Sequence, residues 1–95
     1  MFVVLLKFSA NKERAGDLMD GHNQWLGKGF DDSVFLLAGS LKPGLGGAIV
    51  AHNVSHTELI DRVSDDPFVK EGVVSAEILE IDPGKCDERL ECLCD

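Results

Sequence analysis

Among the residues of this chain that could do chemistry, one histidine stands out. His22 falls in the series Ala15, Leu18, Met19, His22, Trp25 and Leu26, whose spacings of three and four place all six on one helical stripe. Imidazole titrates close to neutral pH, so a histidine half-buried among apolar neighbours suits general acid or base work. Its position fits equally a structural histidine hydrogen-bonded in or near the core. Arg14 lies two turns earlier in the same helix and is either an anchor for an anionic substrate or a solvent-facing arginine. Trp25, one turn beyond His22, is a further candidate for substrate contact. His52 ends a strand and His56 sits at a helix start, which makes both surface residues that form no metal-ligand pair with His22.

Cys86, Cys92 and Cys94 all fall in the last ten residues. Three thiolates do not complete a tetrahedral zinc site, and an odd number confined to a tail makes a poor disulfide framework. These cysteines therefore point to a reducing, cytoplasmic setting, and no metal or other cofactor is expected. There is no P-loop, dinucleotide fingerprint or nucleophile elbow, and the glycines between Gly39 and Gly47 lack the Gly-Lys-Ser/Thr order and the helix N-terminus that phosphate recognition requires.

Composition narrows the partners. The 95 residues carry 17 acids against 9 Lys and Arg, a formal charge of -8 with no basic patch. Nucleic acid binding needs clustered cations, and so does attraction to an anionic membrane. Neither is expected. No apolar run approaches the roughly 18 residues of a membrane span, and Phe2–Phe8 reads as a buried strand rather than a signal peptide.

The positioning elements follow from pattern. Phe2–Phe8 is an apolar strand, after which Ser9 or Asn11 can cap the His22 helix, with Gly27 and Gly29 ending it near residue 28. Gly21 inside this helix implies either a bend or close packing against its backbone. Val34–Ala38 and Ala48–His52 form a hairpin across a glycine-rich connection, which is either a lid or simply a long turn; Pro43-Gly44 suits a type II turn. Ser55-His56-Thr57-Glu58 is a capping box for a second helix. Asp66 then caps a short turn with Pro67 in its first position, and the last strand runs from Val73 to Ile81.

The order β-α-β-β-α-β in one α+β domain packs as a ferredoxin-like antiparallel sheet, strand order 4-1-3-2, with both helices on one face. Residues 1–82 make that domain, and 83–95 an acidic, cysteine-containing tail. The uncovered sheet face is too apolar for water, so a homodimer through it is expected.

Several segments together resemble one known family. The apolar first strand, His22-Asn23-Gln24-Trp25-Leu26, the strand end Leu36-Leu37-Ala38-Gly39-Ser40, and Asp66-Pro67-Phe68-Val69 followed by Gly72-Val73 are similar, in order and spacing, to the YCII-related proteins. The resemblance covers roughly residues 1 to 82. It implies a dimeric ferredoxin-like fold and an active-site dyad of His22 and Asp66, the carboxylate fixing the imidazole tautomer so that the other nitrogen handles a proton. Asp66 as a helix cap alone is the plainer reading. Gly39-Ser40 departs from the Gly-Pro common at this point in the family; Ser40 either lines a pocket or merely turns the chain. The implied function is acid/base chemistry on a small organic molecule, with lyase-type elimination from a chlorinated hydroquinone as one class. The alternative is a ligand-binding or structural dimer without turnover.

Overall fold

The computed structural model describes residues 1–94. Four strands, β1 (Phe2–Phe8), β2 (Phe35–Leu41), β3 (Gly46–Ala51) and β4 (Val74–Glu80), form one antiparallel sheet in the order β2-β3-β1-β4, the order expected from sequence. The helices are α1 (Ala15–Asp31), α2 (His56–Ser64) and α3 (Pro67–Lys70), with 3-10 turns at Lys12–Arg14 and Glu88–Leu93. The connectivity and sheet are those of a ferredoxin-like α+β domain. Among the described residues, no helix is long and apolar enough to cross a membrane.

Alternation along the strands sorts side chains to two faces. Phe2, Val4 and Leu6 of β1 join Ile49, Ala51 and Phe35 in a core closed by Leu59, Val63 and Phe68 from the helices. On the opposite face, Val3 pairs with Val50 and Leu79, and Leu37 lies beside Val50. Leu37 is 59% exposed there and Leu79 45%.

Four local expectations are corrected. Helix α1 runs on to Asp31 because Gly29 is not a terminator but a contact: a Cβ there would lie 2.1 Å from the buried Phe35 ring. Neither Ser9 nor Asn11 caps it; Asn11 Nδ2 instead donates to the Glu71 carbonyl at 2.8 Å. The glycine-rich connection shrinks to residues 42–45, since β2 and β3 extend through Leu41 and from Gly46, leaving little chain for a lid. Its turn is not type II, for the Leu45 amide donates to the Leu41 carbonyl, one residue further back than such a turn allows.

A fifth correction concerns the tail. Cys86 and Cys94 form a disulfide and Cys92 is free and exposed, so the cysteines do not argue for a reducing compartment. Two of three thiols can pair because Asp87 caps the intervening 3-10 turn and folds it back.

Other signals hold. Close packing at Gly21 is supplied by Pro67, whose Cγ would lie 3.2 Å from an added Cβ. Ser55 Oγ accepts the Glu58 amide at 3.1 Å, starting α2, and Asp66 caps α3.

Candidate active site

Helix α1 and the start of α3 bring His22 and Asp66 together across the sheet face. His22 Nδ1 lies 2.8 Å from Asp66 Oδ1, with the aspartate side chain wholly buried and the histidine side chain 13% exposed. Asp66 Oδ1 also accepts the Phe68 amide at 3.0 Å, and toward an ionised carboxylate, which can only accept, Nδ1 is the donor. That pairing favours the tautomer with the proton on Nδ1. In the neutral ring of that tautomer Nε2 is an acceptor, and it is not among the buried, unpartnered atoms. Asp66 Oδ2 is: it is buried without a hydrogen-bond partner among the described residues.

Two aromatic rings frame the imidazole. Phe68 stacks on it with centroids 4.0 Å apart and planes 4° from parallel, and Trp25 lies 5.8 Å away at 27°. Trp25 is held in turn by donating Nε1–H to the Arg62 carbonyl at 2.8 Å and by an edge contact with Phe35 at 5.2 Å. The same Arg62 bonds Asp32 at 3.1 Å, and that hydrogen bond, followed by one from Lys28, holds the Asp32 carboxyl below its usual range. The C-terminal ends of α1 and α2 are clasped behind the site.

His22 borders a cavity of about 310 Å³ between α1 and the sheet, at the small end of the range for small-molecule sites. The sheet supplies the space. One helix-facing row across it reads Ala38, Ile49, Val4, Ile78, and the next Ser40, Gly47, Leu6, Ala76. Gly47 and Ala76 leave the second row low. Three polar side chains line the cavity, His22, Asn23 and Ser40, and among the described residues no Lys, Arg, Asp or Glu does. The walls are otherwise apolar, including Met19, Leu26 and Phe8.

Of the residues expected to contact substrate, Ser40 lines this cavity and Arg14 and Trp25 do not. Arg14 pairs with Glu71 at 3.3 Å near the surface, and Trp25 backs His22 from within. Asn23, Phe68 and Gly47 were not foreseen. Asn23 lies off the apolar stripe, and the cavity reaches past that stripe's edge to it. Phe68 reads in sequence as one more inward apolar residue, and Gly47 as loop. His52 and His56 border a separate cavity of about 460 Å³ with Glu80 and Cys92, and no group of three metal-ligating side chains assembles among the described residues.

No family model matches the sequence, and no curated protein matches it. The fold has a solved counterpart. It is the 5-chloro-2-hydroxyhydroquinone dehydrochlorinase of Burkholderia phenoliruptrix AC1100, determined in complex with 2,5-dihydroxybenzoquinone. The two align with a TM-score of 0.69 over 88% of this chain and 96% of that one, at 17% sequence identity. At that identity the likeness establishes the shared fold.

Proposed function

We propose that this protein is a small YCII-like enzyme in which His22, oriented by Asp66, performs general acid/base chemistry on a small ring compound, of the lyase type. The observation that carries the reading is the 2.8 Å bond to a wholly buried carboxylate from Nδ1 of His22, a residue in the wall of a cavity. The apolar lining and the lack of a charged side chain there favour an uncharged planar ring over a phosphate or polycarboxylate.

For a chlorinated hydroquinone the steps balance without an oxidant. Nε2 takes the proton of one ring hydroxyl and returns it to the chlorine-bearing carbon, which becomes tetrahedral. A second hydroxyl then loses its proton as chloride departs with the bonding pair, so the net loss is HCl. The fold likeness to a dehydrochlorinase supports trying this class first. The apolar open face, with Val3, Val50, Leu37 and Leu79, supports a homodimer as the working form. A second reading, a ligand-binding dimer without turnover, draws on the capping bond that the Phe68 amide donates to Asp66, which accounts for that aspartate without chemistry.

The test is a panel of halogenated hydroquinones and related hydroxyaromatics, followed by absorbance and halide release. Replacing the base by His22→Asn should cost about 10²–10⁴-fold in rate. NMR titration of His22 in the wild type and in Asp66→Asn completes it. Turnover indifferent to His22, or identical His22 titration curves in the two proteins, refutes the dyad.

A further inference from the structure

We infer that Phe68 is a positioning residue for the proposed base, and that Asp66-Pro67-Phe68 acts as one docking unit that fixes both the place and the plane of the His22 imidazole. The inference rests on the reading of His22 as the base and extends it to a residue that reading does not use.

A single hydrogen bond at Nδ1 fixes the direction of one ring nitrogen and leaves the ring free to tilt, because the second side-chain torsion of histidine has broad wells. Tilting swings Nε2, the atom that must meet the substrate proton. The Phe68 ring removes this freedom: it lies flat against one imidazole face, 4.0 Å away and within 4° of parallel. Trp25 is further off and inclined, so it blocks large excursions without setting the plane. Phe68 also acts through its backbone, since its amide donates to Asp66 Oδ1, the same oxygen that receives Nδ1–H.

Pro67, between them, sets the spacing of the two helices. It sits against Gly21, the residue before His22, where even a methyl group would be tight at 3.2 Å from Pro67 Cγ. Three consecutive residues therefore touch two consecutive residues of α1 by apolar contact, hydrogen bond and ring stack. Phe68 is only 6% exposed, so the competing account is that it merely fills the core.

The two accounts differ in what leucine does at residue 68, because leucine keeps the burial and loses the flat face. The readout is the downfield Nδ1–H proton of His22 in NMR spectra of wild type, Phe68→Leu, Phe68→Tyr and Asp66→Ala, with the backbone amide spectrum monitoring the fold. Wild type and Phe68→Tyr should show a protected proton, Asp66→Ala none, and Phe68→Leu one that exchanges at least about tenfold faster within an otherwise folded protein. Should the leucine variant not fold, Phe68→Met serves the same purpose. On any substrate the panel yields, Phe68→Leu should lower kcat by about 10²-fold with KM nearly unchanged. An equally protected proton in Phe68→Leu overturns the role of Phe68 and leaves the dyad standing. Absence of the proton from the wild type overturns the dyad, and this inference with it.

Discussion

Asp66 has two jobs on one oxygen, and paired substitutions separate them. Asp66→Ala removes the cap of α3, worth about 1 kcal/mol, and strands the amide of a residue only 6% exposed. It also leaves His22 Nδ1 without its partner, for about another 1 kcal/mol or more, in a side chain only 13% exposed. With the space left by a wholly buried carboxylate, the total comes to roughly 2–4 kcal/mol. At about 4–8 °C per kcal/mol for a domain of this size, Tm should fall by roughly 8–32 °C.

Asp66→Asn should behave differently. Two donors, Phe68 N–H and Nδ1–H, converge on the Oδ1 position, so the amide oxygen must occupy it and the NH2 must replace the already unpartnered Oδ2. Both hydrogen bonds and the tautomer survive, while a buried charge is removed, and stability should stay within about 1 kcal/mol of wild type. On the proposed function, activity should still fall, because an imidazolium formed in turnover would lose its counter-charge. Urea and thermal melts of the three proteins in one buffer decide the matter. An asparagine variant as unstable as the alanine one would show that charge, not the shared acceptor, holds the turn; an alanine variant as stable as wild type would refute the whole account.

Four further outcomes are expected. Gly29→Ala gains about 1 kcal/mol of helix propensity, yet its Cβ would sit 2.1 Å from Phe35 Cδ2, so urea melts should show a net loss of about 1–3 kcal/mol; a stabilised variant would contradict the packing described. Gly47→Val fills the low row of the sheet and should weaken binding of any ring ligand at least about tenfold by calorimetry, with the circular dichroism unchanged; undiminished binding would place the ligand elsewhere. Asp32, its pKa lowered by Arg62 and then Lys28, contributes stability above its ordinary value of 3.8 and loses it as pH falls through the lowered one, so the urea midpoints of wild type and Asp32→Asn should converge in acid; a constant gap would mean the ion pair is not its source. Leu37→Asp places a charge on the open face and should yield monomers in light scattering where wild type gives dimers; a monomeric wild type would dispose of the dimer.

Most of the fold was legible because local and global signals agree. The apolar run of Phe2–Phe8, the Ser55 cap and the Asp66-Pro67 start each have a local physical cause, and each appears where that cause puts it. Gly29 was misread because a glycine near a helix end looks the same whether it terminates the helix or admits a ring from a distant strand; only Phe35 distinguishes the two. The glycines at 46 and 47 suggested loop for a similar reason. At the site, His22 was visible from its stripe, while Asp66 needed the family resemblance, since a capping aspartate carries no sequence mark of a second partner 44 residues away. The engagement of Arg14 by Glu71, and the cavity's reach to Asn23, depend on tertiary geometry that no spacing encodes.

The double duty of Asp66 bears on how relatives of this protein should be read. An aspartate that caps a buried turn is retained by selection for folding even in a lineage that has abandoned catalysis, because its loss would cost stability first. Its presence in a related sequence is therefore weak testimony to activity. The His22 ring serves no cap, yet it too contributes to the fold, through its bond to the same buried carboxylate and its stack on Phe68. Aspartate kept with histidine lost is the one combination that separates the two duties, since the cap of α3 survives it and the proposed proton transfer does not.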